Sequence, residues 1–170
     1  MFGEREKMKT YRNDYSNLGS YSLADSGAFG KAFESALTGK RCKTQNKVDR
    51  WLGKVRLEVK TSAGELGNAG SRLLAHTDKV IYCPVPLANA DGYVDPYVQE
   101  AFVLTREEFL QALAEAGALR EKTSTAGVRK VTIQTFWNRK ANKPHGVLLY
   151  RLLDALYEHC ECTLEELLEG

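Results

Sequence analysis

The segment that most restricts what this chain can fold into is residues 48–61, VDRWLGKVRLEVKT. Apolar and polar side chains alternate along its second half, with Val55, Leu57 and Val59 on one side and Arg56, Glu58 and Lys60 on the other. That period of two is the signature of a strand with one buried face. Gly53-Lys54 divides the segment and suits a two-residue hairpin loop, because a type II′ turn wants Gly in its first central position. Pairing symmetric about that loop sets Leu52 against Val55, Trp51 against Arg56, Arg50 against Leu57 and Asp49 against Glu58.

Directly opposed residues have Cβ atoms about 4.5–5.5 Å apart, and like charges placed so destabilise a sheet. Two facing carboxylates therefore call for compensation. A divalent cation held by both supplies it, and Lys60 adds a positive charge two residues along the same face. Carboxylate, carbonyl and water oxygens suit a hard ion, Mg²⁺ or alternatively Mn²⁺. A water on such an ion can become a nucleophile.

Around this hairpin the spacing predicts further elements. Asp25 or Ser26 caps a helix to about Thr38, with Phe29, Ala32, Phe33, Ala36 and Leu37 on its buried face and Gly39 ending it. Gly64, Gly67 and Gly70 make 62–70 a loop, and SRLLAH suits a short helix. Lys79–Cys83 is an apolar strand stopped by Pro84 and Pro86. A strand near Ala101–Leu104 runs into a helix that Thr105 and Glu108 open as a capping box. Residues 131–136 suit a strand, 147–157 an amphipathic helix, and Thr163 with Glu166 opens a last helix. Residues 1–25, rich in Tyr and without periodicity, form an N-terminal arm.

The resulting expectation is one α/β domain over 1–170, with a core at 26–104 and helices plus one strand at 105–170. A chain of 170 residues can bury a core of that kind without disulfides, so Cys42, Cys83, Cys160 and Cys162 are expected as thiols. The charged opening MFGEREKMKT has no apolar run, and no window approaches the roughly 20 apolar residues of a membrane span. A cytoplasmic protein with no membrane partner is expected. A net charge of +2 neither requires nor excludes nucleic acid, so local clusters matter more.

The order of elements and the string Asp49…Glu58-Val59-Lys60 resemble the PD-(D/E)XK, or restriction-endonuclease-like, nuclease superfamily. Its signature is an acidic residue on one strand and (D/E)-x-K on the next. The resemblance covers roughly residues 26–104 and implies an αβββαβ core with a mixed sheet, here followed by extra C-terminal helices. It implies that Asp49, Glu58 and Lys60 are catalytic. Glu34, Asp49, Glu58 and the backbone carbonyl of Val59 would hold the metal, Glu34 directly or through water, and Lys60 would assist the attacking water. Val48 stands where the family has proline, and no glutamine-bearing helix follows the third strand.

The activity so implied is metal-dependent hydrolysis of DNA phosphodiester bonds by an endonuclease or resolvase-like enzyme, a homodimer if it cuts two strands. The alternative is a catalytically inactive protein of the same fold that binds nucleic acid or a nucleoprotein partner. A structural α/β protein with a coincidental motif is a third reading. Arg72, at the start of the SRLLAH segment, and Arg139, Lys140 and Lys143, in a segment that mixes aromatic, amide and basic side chains, are candidate nucleic-acid contacts. Solvent-exposed positions account for these residues equally well. His159-Cys160-Glu161-Cys162 has the look of a zinc fragment but lacks a second pair of ligands.

Overall fold

The computed structural model describes residues 11–13, 15, 32–33, 35–37, 43–45, 48–52, 54–61, 64–68, 77–87, 93–123, 125–127, 129–134, 137–138, 143–144 and 146–169. The strands are β1 (Lys43–Gln45), β2 (Val48–Leu52), β3 (Val55–Thr61), β4 (Gly64–Asn68), β5 (Lys79–Cys83), β6 (Phe102–Thr105), β7 (Leu119–Thr123), β8 (Arg129–Ile133), β9 (Trp137–Asn138), β10 (Lys143–Pro144) and β11 (Cys162–Thr163). The helices are α1 (Arg106–Glu115), α2 (Gly146–His159) and α3 (Leu164–Glu169), and Pro96–Val98 form a 3₁₀ turn. Ala32, Phe33, Ser35 and Ala36 are helical as well.

A six-stranded sheet runs in the order β1-β2-β3-β5-β6-β11. Its neighbours are antiparallel except β3 and β5, which are parallel, so the sheet is mixed and the chain is of the α/β class. A parallel pair needs a crossover of a dozen or more residues, and residues 62–78 supply it, with β4 on the way in a second sheet ordered β4-β8-β7. β9 and β10 form a separate ladder.

Alternation gives the large sheet two apolar faces. Leu57, Val59, Ile81, Cys83 and Val103 face one side and cluster with Phe33, Leu37, Leu164 and Leu168. Val80, Tyr82, Phe102 and Leu104 face the other and meet Phe109 and Leu113 of α1, Leu149, Leu152, Leu153 and Leu156 of α2, and Val131 and Ile133 of β8. Phe109 packs tilted on Tyr82 with ring centroids 5.1 Å apart, and Phe102 meets Tyr157 edge-on at 4.7 Å.

Local signals account for the helix ends. Thr105 Oγ1 accepts from Glu108 N at 3.1 Å while Glu108 Oε1 accepts from Thr105 N at 2.8 Å, closing the expected capping box. At the other end of α1, Gly117 N–H reaches Ala114 O at 3.1 Å and Ala118 N–H reaches Leu113 O at 2.8 Å, with Gly117 at φ 74°. This is a Schellman ending, and its left-handed position is one that glycine takes without a Cβ penalty. Thr163 and Glu166 exchange the bonds of a second capping box at 3.1 and 3.3 Å.

Several expectations are corrected. Residues 62–70 are not all loop, because Gly64–Asn68 form β4 against β8. The ladder shifts register between Glu65 and Asn68, a bulge that Gly67 accommodates. Among the described residues, 105–170 hold five strands rather than one. β7 escapes a pattern search because LREKT is largely charged, as suits the edge strand it forms. β8 ends at Ile133 instead of running to 136. The SRLLAH segment lies outside the described residues.

The N-terminal residues that are described dock on the core. Tyr15 is 3% exposed, Tyr11 stacks on Tyr150 and Tyr157, and its hydroxyl donates to Asp154. The buried carboxylate of Glu100 accepts from Asn13 N and Tyr157 Oη, each at 2.9 Å. Buried Gln99 holds both sides of residues 88–92, accepting from Leu87 N at 2.8 Å and donating to Leu87 O and Asp95 O at 2.8 and 2.9 Å. Phe109→Ala is expected to cost about 3–5 kcal/mol, because it removes a fully buried ring that joins α1 to Tyr82. Denaturant unfolding measures it, and a loss under about 1 kcal/mol would contradict this packing.

Candidate functional site

The hairpin carries the candidate site in the register its sequence calls for. Arg50 pairs with Leu57, Trp51 with Arg56 and Leu52 with Val55, the register expected of strands joined by two residues. The same register carried one residue further sets Asp49 level with Glu58. Of β2 only the backbone is described, so the direction of the Asp49 carboxylate is outside the described atoms.

On the other side of β3, Glu58 pairs with Val80 and Lys60 with Tyr82. Paired residues share a face, so Glu58 and Lys60 project to the side of Val80 and Tyr82. Glu58 is 8% exposed and Lys60 half-buried. Val59 points to the opposite face beside Ile81 and is buried there, leaving only its backbone carbonyl as a donor. Glu34 lies outside the described residues. Its neighbours Phe33 and Leu37 belong to the cluster of Leu57 and Val59, across the sheet from Glu58 and Lys60.

Arg72, Arg139 and Lys140 also lie outside the described residues. Lys143 is placed by its backbone, which pairs with Asn138 in the β9–β10 ladder. The segment expected as a loop thus contains a short antiparallel ladder, and the side chains of these four residues all lie outside what is described.

Arg56, which the alternation sets on the face of Glu58 and Lys60, lies two residues before Glu58 on the same side of β3 and has a partner that the sequence did not show. Its Nε donates to Asp78 Oδ2 at 3.2 Å and its Nη2 to Oδ1 at 3.0 Å. Arg56 N donates to Asp78 Oδ2 at 2.8 Å, and Asp78 N donates to Arg56 O at 2.9 Å. The guanidinium hydrogen bonds, followed by the backbone one, hold the Asp78 carboxyl down to about 2. The only sequence signal for this pair was an aspartate one residue before an apolar strand.

A second group of possible donors joins the C-terminal ends of α1 and α2. Glu115, Glu158 and His159 offer ligand atoms within 4.8 Å of one another, and His159 Nε2 lies 2.6 Å from Glu115 Oε2. Both glutamates are exposed, and the geometry is that of a tie between two helices. His159 therefore turns to Glu115, while burial pushes the Cys160 thiol up to about 11 and also raises Cys162. Thiols held protonated in this way are poor metal ligands.

No family model matches this sequence, and neither curated proteins nor solved structures give a match. No helix among the described residues is long and apolar enough to cross a membrane.

The depressed Asp78 value has a measurable sign. Its folded-state value lies below the ordinary carboxylate one, so its contribution to stability is present above about pH 4 and is lost as pH falls toward 2. Carboxyl-carbon NMR should show Asp78 titrating near 2, and Arg56→Ala should return it toward about 3.9. An Asp78 midpoint near 4 in the unsubstituted protein would contradict the pair.

Proposed function

We propose that this chain is a metal-dependent phosphodiesterase acting on DNA, with a PD-(D/E)XK-type site on β2 and β3. The observation that carries the reading is the pairing of β3, antiparallel to β2 in a register that levels Asp49 with Glu58 and parallel to β5 on its other edge. The helical residues before β1, the antiparallel run β1-β2-β3 and the parallel strand beside β3 are consistent with the αβββαβ order.

The donor chemistry fits a hard cation. Asp49 and Glu58 offer carboxylate oxygens and Val59 a carbonyl oxygen, while Cys83 lies in the cluster on the opposite face. Glu34, the further ligand that the resemblance implies, lies outside the described residues.

Mg²⁺ or Mn²⁺ held by Asp49 and Glu58 would polarise a scissile phosphate and lower the pKa of a bound water. The protein's own contribution is positional. The ammonium of Lys60, on the Glu58 face, orients the attacking water or offsets the negative charge that develops on phosphorus-bound oxygens. The buried neighbours Val80 and Tyr82 lower the local polarity and strengthen those interactions.

One observation favours a second reading. Glu58 is 8% exposed, which restricts the approach of a phosphodiester to a cation bound there. A protein of this fold that binds nucleic acid or a nucleoprotein partner without cutting would tolerate that restriction.

Incubation with linear, supercoiled and branched DNA in Mg²⁺ or Mn²⁺ separates the two. Cleavage that falls about 10²–10⁴-fold in Lys60→Ala, with the circular dichroism spectrum unchanged, is the expected result. Cleavage at the unsubstituted rate in that variant would sink the catalytic role of Lys60, and DNA binding with no cleavage would leave the second reading.

A further inference from the structure

Asp78 grips Arg56 more firmly than an exposed ion pair requires. The two side chains are 36% and 41% exposed, in the range where a single pair adds little to stability. Four hydrogen bonds nevertheless join the two residues, two from the guanidinium and two along the backbone. Together they fix the guanidinium in one orientation at the point where β5 begins beside β3.

A guanidinium has five N–H donors in a planar fork. Asp78 engages Nε and one edge of Nη2. The remaining donors, both on Nη1 and one on Nη2, lie on the edges that Asp78 does not cover. Residues two apart on a strand are about 6.6 Å apart along it and share a face. Arg56 therefore stands one side-chain position from Glu58, with Lys60 the same distance beyond, and all three are on one side of β3. Glu58 is buried and Arg56 partly exposed, so a phosphate approaching the site from the Arg56 end of β3 would come within reach of that fork.

We infer that Arg56 is the substrate-phosphate anchor of the site, that Asp78 is the residue that positions it, and that the ligand is a nucleic-acid strand reaching the site at the Arg56 end of β3. This rests on the phosphodiesterase reading of Asp49, Glu58 and Lys60. It differs from a structural role for the pair in one respect. Removing Asp78 takes away a negative charge, which on charge alone tightens binding to a polyanion. Removing the residue that orients the guanidinium loosens it.

The test is fluorescence anisotropy with labelled single- and double-stranded oligonucleotides over a range of KCl concentrations, with Ca²⁺ replacing Mg²⁺ so that binding is read apart from turnover. Arg56→Ala should weaken binding about tenfold or more and reduce the slope of log K against log salt by about one phosphate contact. Arg56→Lys, which keeps the charge but loses the fork, should fall between Ala and the unsubstituted protein. Asp78→Ala should weaken binding as well, and should add nothing further to Arg56→Ala, since the two would act through one contact. Thermal unfolding of each variant verifies that the fold is intact.

Unchanged affinity and salt slope in Arg56→Ala would overturn the anchor, and tighter binding in Asp78→Ala would overturn the positioning role. If the unsubstituted protein binds neither oligonucleotide, the phosphodiesterase reading itself fails and the anchor fails with it.

Discussion

The rest of the structure depends on β3 being paired on both edges, antiparallel to β2 through a two-residue loop and parallel to β5 through a long crossover. The first pairing fixes which residue of β2 stands beside Glu58. The second buries β3 in the middle of the sheet, so that both of its faces must be covered. One face does this with Leu57 and Val59 in an aliphatic cluster, and the other carries Glu58 between β2 and Val80. A register slip of one residue would exchange the two faces and place Leu57 and Val59 where the charges now stand. The apolar cluster and the candidate site therefore enforce one another.

Much of this was legible in the sequence because it rests on local rules. The alternation of 55–60 gave the strand, Gly53 gave the turn and hence the register, and Thr105 with Glu108 gave the start of α1. Lys79–Cys83 matches its strand residue for residue, since Pro84 bounds an apolar run. Of the second sheet only β8 was legible. β4 is glycine-rich and owes its conformation to β8, a partner far along the chain, while β7 pairs with β8 nearby but is largely charged. Neither segment carries an apolar period of two.

The placement of the candidate residues was legible in part for the same reason. The alternation puts Glu58 and Lys60 on one side of β3, and the hairpin register sets the backbone of Asp49 level with Glu58. Arg56 has the same alternation, but its significance comes from Asp78, 22 residues away across a parallel pairing that no local pattern encodes. Glu100 and Gln99 are a further case. They are acidic and amide residues beside an apolar strand, and their partners, Asn13, Tyr157 of α2 and the chain flanking 88–92, all come from other parts of the chain. The candidates taken from basic loops had no such local rule behind them.

If the carboxylates of Asp49 and Glu58 converge on one cation, anomalous scattering from a crystal of the full chain soaked in Mn²⁺ will show a manganese peak bonded to oxygens of both residues, with the Lys60 ammonium on the same side of β3. A peak confined to Glu115, Glu158 and His159, or Asp49 and Glu58 side chains that diverge with no peak between them, would contradict that convergence.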